Sequence, residues 1–209
     1  MISKSGDRLR TAMIVSIVGN LMDFGISGSL VDPEHLRSEF MEMSNEPLGA
    51  DDSSRIEKLL EGCEEIFFLA DNCGEIVFDK LLMKELKSYG PRIVLVIKGR
   101  PILTDVTMED IQGLGIEDYA DEVVEANGFA IGIDIWSGAN NDLVSRLENC
   151  DLIISKGMAN YEALSERTWP RIAYLLRVKC RPVSESIGAR QDTNVISLIE
   201  NGNRKGRPD

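Results

Sequence analysis

Three short runs of almost unbroken apolar residues limit what this chain can become more than any other feature. Ile66-Phe67-Phe68-Leu69, Ile93-Val94-Leu95-Val96-Ile97 and Leu152-Ile153-Ile154 are short for buried helices and lack the polar alternation of a strand with one wet face. Strands of this kind are covered on both sides, as in a parallel sheet between helical layers. The intervening sequence agrees. Residues 54–62 carry Ile56, Leu59 and Leu60 at helical spacing, residues 76–89 carry Phe78, Leu81, Leu82 and Leu86, and residues 140–150 read as a further helix. Gly90-Pro91 stops the second of these. A helix is expected from Met108, and further strands at 121–126, 171–180 and 189–196. Strand alternates with helix throughout, which predicts an α/β fold with a largely parallel sheet.

Such sheets place ligand sites beyond the carboxyl ends of their strands, so the residues after each run matter most. Asp71-Asn72-Cys73-Gly74-Glu75 follows the first run. It offers a carboxylate and a carboxamide, a glycine that lets backbone approach a ligand, and a helix start whose free N–H groups favour an anion. Hard oxygen donors beside an anion site point to a divalent cation held between protein and phosphate. Taken alone, Asp71 and Asn72 are better explained as helix caps. Asp105 lies in the loop after the second run, where it too could cap a helix. After the third run comes Lys156-Gly157-Met158-Ala159-Asn160-Tyr161-Glu162, whose lysine is placed to neutralise a phosphate oxygen.

A fourth segment, residues 7–24, is apolar but interrupted by Gly19, Asn20 and Asp23. It is too short to cross a bilayer and lacks a small-residue cleavage site, so it reads as a buried helix. Asn20 and Asp23 share one face, where they either end the helix or look into a polar cavity. Together the four segments supply what a metal-assisted phosphoryl hydrolase needs: oxygen ligands, an activated water and a charge sink.

At 209 residues the chain can bury one substantial α/β core. Its formal net charge of −12 argues against nucleic acid or an anionic membrane as partner. A small phosphorylated substrate remains compatible, because a bound cation and a lysine can invert the field locally. Cys63, Cys73, Cys150 and Cys180 are scattered, without zinc-site spacing, and read as reduced thiols of a cytoplasmic protein. Cys73 is a small filler, since His35 is the sole histidine and lies in a polar segment. Residues 1–55 are expected to form a helical segment packed on a catalytic core of 56–200, with 201–209 a frayed tail.

Gly19-Asn20-Leu21-Met22-Asp23, Asp71-Asn72-Cys73-Gly74-Glu75, the segment from Lys98-Gly99-Arg100-Pro101 to Thr104-Asp105-Val106-Thr107, and Lys156-Gly157-Met158-Ala159-Asn160-Tyr161-Glu162 occur in that order. In combination they resemble the archaeal and bacterial-type branch of the metal-dependent damage-control phosphatases, long described as domain-of-unknown-function family 89. The resemblance implies a three-layer αβα sandwich with a Rossmann-like sheet. It implies hydrolysis of small phosphometabolites, often sugar phosphates, with Mn, Mg, Ni or Co. Asp71, Asn72 and Asp105 would then hold the metal, and Asn20, Asp23, Lys156 and Asn160 would face the substrate. Backbone near Gly74 and Gly157 would hold the phosphoryl group, with Glu75 beside it and Asp71 and Lys156 catalytic. Attack by water, or by Asp71 through an aspartyl-phosphate, both fit this arrangement. That branch usually begins with a helical segment bearing a close cysteine pair, whereas this chain starts almost at the Asn20 helix, as a short natural form or a truncated reading frame would.

Two other classes share the outline. A methyltransferase using S-adenosylmethionine would normally show a glycine-rich first loop, and residues 71–75 contain a single glycine. A metabolite-binding module with a structural metal would be stabilised by metal without turning anything over.

Overall fold

The computed structural model describes residues 2–20 and 32–200. A 3-10 turn (Ile2–Lys4) leads into α1 (Arg8–Gly19), then α2 (Pro33–Asn45), β1 (Ala50–Asp51) and α3 (Ser53–Leu60). The central stretch is β2 (Glu65–Leu69), α4 (Ile76–Lys87), β3 (Arg92–Lys98), α5 (Met108–Ile111) and β4 (Glu122–Ala126). The rest is α6 (Asn141–Asn149), β5 (Leu152–Lys156), α7 (Gly157–Leu164), β6 (Arg171–Arg177), α8 (Arg181–Ile187) and β7 (Asn194–Glu200).

One sheet takes the strand order β1-β7-β6-β5-β2-β3-β4, and every neighbouring pair is parallel except β6 with β7. The three apolar runs form β2, β3 and β5, and their side chains fill a core on each face. Phe68, Leu95 and Ile154 point into the layer with α1, α3 and α4, while Phe67, Val94 and Ile153 point into the layer with α6 and α7. This is the largely parallel α/β sandwich expected. The final strand starts later than expected, at Asn194, because residues 181–187 form α8, closed by Gly188 at φ 76°. β1 is only two residues long and exists through its pairing with β7.

Helix α1 is apolar nearly all round, with Ala12, Met13, Ile17 and Val18 almost fully buried. It packs so closely on α4 that a Cβ on Gly19 would lie 2.6 Å from the Phe78 ring. Helix α4 buries Ile76, Leu82, Met83 and Leu86 but also Asp79 and Glu85, while Leu81 stays 40% exposed. The inward face therefore differs from the purely apolar stripe. Each buried acid has a cation: Glu85 accepts two hydrogen bonds from Arg8, at 3.0 and 2.7 Å, and Asp79 accepts one from Lys156 at 2.7 Å.

The chain leaves β2 for β3 and β4 on one side, then returns to β5 and β6 on the other. The order reverses between β2 and β5, and at such a switch the loops diverge and leave a crevice beyond the carboxyl ends of the strands. Asp71 follows β2, and Lys156 ends β5.

Candidate active site

The loops after β2 and β3 are stitched into a single wall. The Ala70 N–H donates to the Val96 carbonyl at 3.0 Å, Val106 N–H to the Asp71 carbonyl at 2.8 Å, and Cys73 N–H to the Thr104 carbonyl at 2.8 Å. Asn72 and Asp105 face each other as an isolated antiparallel bridge, and the Thr104 hydroxyl donates to Asn72 Oδ1 at 2.8 Å. Two loops distant in sequence thus bring Asp71, Asn72 and Asp105 together.

None of these three side chains is used as a helix cap. Helix α4 begins after Glu75 without a side-chain capping bond. Helix α5 is preceded by Thr107, whose N–H and hydroxyl both donate to Asp110, at 2.8 and 2.7 Å. Capping, the bland account of Asp71, Asn72 and Asp105, is therefore unsupported at every position where it was available.

Two further elements close on Asp71. Gly157, at φ 73°, lies so near that a Cβ there would come 1.8 Å from Asp71 Oδ2. Asn20, at the end of α1, donates from Nδ2 to the same oxygen at 2.9 Å. Asp23 lies outside the described residues. Gly74 sits half-buried in the turn between Asn72 and α4.

The electrostatics of this corner are unfavourable without a cation. Burial pushes the Asp71 carboxyl up to about 6; the Asn20 hydrogen bond and the charges of Lys156 and Lys179 oppose this, and the charge of Asp105 adds to it. Burial also raises Asp105, against the pull of Lys98. Asp105 Oδ2 is buried and accepts no hydrogen bond, with Lys98 Nζ 3.4 Å away. Two partly desolvated carboxylates and a carboxamide form an all-oxygen donor set, which fits a hard divalent cation. No group of three or more His, Cys, Asp or Glu among the described residues is placed to hold a metal. A cation here would draw on the Asn72 oxygen and complete its shell with water or phosphate oxygens.

Lys156, Glu75 and Asn160, expected at the substrate face, lie beneath it. The Lys156 amine is completely buried and donates to Glu75 Oε1, to Asp79 Oδ1 at 2.7 Å and to the Ser16 carbonyl at 3.2 Å. Burial works against its charge, but Asp79 and Glu75 outweigh that and hold the ammonium form. Glu75 is itself fully buried, and burial drives its carboxyl well up against the pull of Lys156. Asn160 donates from Nδ2 to the carbonyls of Ala70 (2.9 Å) and Lys156 (3.0 Å), and accepts from the Ile133 N–H (3.1 Å). It ties the ends of β2 and β5 together. Sequence spacing fixes which strand end carries a residue but not its depth, and these three turn inward because each finds a buried partner.

The exposed amine that reaches the rim is Lys179, which the sequence reading passed over. It follows β6 and donates to Asn20 Oδ1 at 3.2 Å, while its charge acts on Asp71. The rule that located Asp71, inspection of the first residues after a parallel strand, also finds Lys179. Lys98, named in the sequence only as part of a motif, also has a definite place. Its Nζ donates to the carbonyls of Ala130, at 2.9 Å, and Gly132, which pins a third loop beside Asp105.

Comparison with known proteins gives consistent relatives. Residues 1–195 match the domain described as damage-control phosphatase ARMT1-like. A damage-control phosphatase of Archaeoglobus fulgidus is 40% identical over 200 residues, covering 96% of this chain and 68% of that protein. The damage-control phosphatase PH1575 of Pyrococcus horikoshii is 30% identical over 177 residues, covering 84% of this chain and 60% of that one. The crystal structure of the Pyrococcus protein, described as a DUF89 family member, superposes with a TM-score of 0.83 at 28% identity, covering 95% of this chain and 68% of that one. The chain thus spans roughly two thirds of the length of these relatives.

Proposed function

Because this chain belongs to the damage-control phosphatase ARMT1-like family, we propose that it is a metal-dependent phosphatase that hydrolyses small phosphate monoesters, sugar phosphates among them, in the cytoplasm. Asp71, Asn72 and Asp105 hold Mg²⁺, Mn²⁺, Ni²⁺ or Co²⁺. Such a cation supplies Lewis acidity toward a phosphoryl oxygen and toward water.

The remaining work falls to the chain itself. Asn20 holds Asp71 Oδ2 by its hydrogen bond and so fixes the carboxylate plane. Lys179, solvent-accessible and already within reach of Asn20, takes a phosphoryl oxygen and offsets its charge. Gly157 lets the Asp71 carboxylate lie directly against backbone, where any side chain would displace it. Lys156 acts from below as a positioning residue, through Glu75, Asp79 and the end of α1. Water's oxygen forms the new bond to phosphorus, the bond from phosphorus to the organic oxygen breaks, and that oxygen takes up a proton.

The observation that carries this reading is the Asn72–Asp105 bridge, which clamps the loops after β2 and β3 to each other and supports a shared role for the oxygen-bearing residues they carry. Phosphate release from a reactive aryl phosphate tests it. Wild type is expected to depend on a divalent cation and to stop with chelator. Asp71→Ala and Asp105→Ala are expected to fall to background while keeping the far-ultraviolet dichroism of the folded protein. Wild-type turnover in both variants would refute the assignment.

A further inference from the structure

The large apolar side chains most open to solvent among the described residues are Leu103 (82%), Phe129 (76%), Trp136 (66%) and Ile131 (62%). They are not scattered. All four lie in the two loops that leave the carboxyl ends of β3 and β4, on the rim that carries Asp105. Single exposed apolar residues need no explanation, but a group of them beside a polar crevice marks a surface that receives something.

The loop after β4 is held rather than slack. Lys98 Nζ binds the carbonyls of Ala130 and Gly132 and lies 3.4 Å from Asp105 Oδ2, so one ammonium group joins the backbone on either side of Ile131 to a candidate metal ligand. Asn160 accepts from the Ile133 N–H at 3.1 Å. Gly132, at φ 74°, packs on α7 so tightly that a Cβ would come 2.4 Å from the Ala159 carbonyl oxygen. Asp134 Oδ1 accepts from the N–H groups of Trp136 (3.0 Å) and Ser137 (2.9 Å) and fixes the next turn. The Arg100 guanidinium stacks over the Phe129 ring at 4.4 Å, which sets a cation on the same edge of a strongly acidic chain.

We propose that Phe129, Ile131 and Trp136 form the specificity wall of the site: they receive the organic part of the phosphate ester and select substrates that present a ring or a continuous C–H face beside the phosphoryl group. Arg100 takes a second oxygen of such a substrate. The proposal rests on the phosphatase reading for the phosphoryl end. It adds the substrate class, ring-bearing monoesters over short acyclic ones. An aromatic face covered by substrate contributes where water would otherwise lie against it.

Exposed positions can be changed with little effect on the fold, so Phe129→Ser and Trp136→Ser are informative. With Mg²⁺ present, kcat/KM for benzyl phosphate is expected to fall about tenfold or more in each, as loss of an apolar contact does. For glycerol 2-phosphate it is expected to stay within about twofold of wild type, the range of an uninvolved surface change. Equal losses on both esters, or none on either, overturn the proposal. Trp136 fluorescence gives a second readout, because the other tryptophan, Trp169, is buried. Benzylphosphonate is expected to shift the emission to shorter wavelength saturably, methylphosphonate is not, and Trp136→Phe is expected to abolish the response. An emission unmoved by benzylphosphonate overturns the proposal. Absence of any ester hydrolysis by wild type sinks the phosphatase reading alone, and a saturable Trp136 response in that case still supports the wall.

Discussion

At Gly157 the backbone adopts φ 73° and the Cα lies against the Asp71 carboxylate, so a side chain is excluded by conformation and by space together. Gly157→Ala is expected to displace Asp71, to cost about 1–3 kcal/mol of stability, and to remove metal binding by calorimetry along with turnover. Asp71 carries a second prediction. Its carboxyl titrates near 3.8 when unperturbed and near 6 in the fold. Folding therefore favours the protonated form: that contribution is complete below 3.8, is lost as pH rises to about 6, and leaves the ionised group held at a cost above that. Asp71→Asn, melted with chelator near neutral pH, is expected to be more stable than wild type. Added Mg²⁺ is expected to raise the melting temperature of wild type only, and to do so less as pH falls below about 6, where the proton competes. The order of residues along the chain was enough to put Asp71, Asn72 and Asp105 in loops at strand ends, because a strand end fixes where a residue stands. It was not enough for Lys156 or Asn160, whose inward turn depends on Glu75, Asp79 and Ala70, partners 77 to 90 residues away.

Between elements, the contact of α1 with α4 and β5 is sealed by a polar knot. Ser16 Oγ donates to Asp79 Oδ1 at 2.5 Å, and Lys156 joins both helices from the strand end. Lys156→Met leaves two buried carboxylates without their cation and is expected to cost about 3–5 kcal/mol in urea unfolding. The edge of the sheet behaves differently. Glu122, on β4, accepts both arms of Arg146 at 2.8 Å and one from Arg92 at 2.6 Å, which pull its carboxyl down to about 2. Its contribution is present above 4.5, the ordinary value, and is lost as pH falls from there to about 2. Because these side chains are about a third exposed, Glu122→Gln is expected to cost only about 1 kcal/mol or less at neutral pH, and the difference from wild type to vanish near pH 2. Fully covered strands were legible because apolar runs have few alternatives. β1 was not, since two residues make no pattern and its identity comes from β7. The inner face of α4 was only partly legible, because Asp79 and Glu85 look like solvent residues until their cations are placed.

Across the whole molecule, a formal charge of −12 concentrates repulsion that the site itself increases. Divalent cation is therefore expected to raise the melting temperature in a concentration-dependent way that chelator reverses, as any ligand of the native state does. No helix among the described residues is long and apolar enough to cross a membrane. The alternation of strand and helix revealed the layers, but strand order was hidden, since nothing local in 194–200 says that it slots between β1 and β6. That placement has a consequence for biosynthesis. A nascent chain leaving the ribosome can assemble β2, β3, β5 and β6 early, yet must leave the margin of β6 raw until residues 194–200 emerge to cover it. Products that stop short of residue 194 would carry that margin permanently and should be recovered as aggregates or be cleared by proteases.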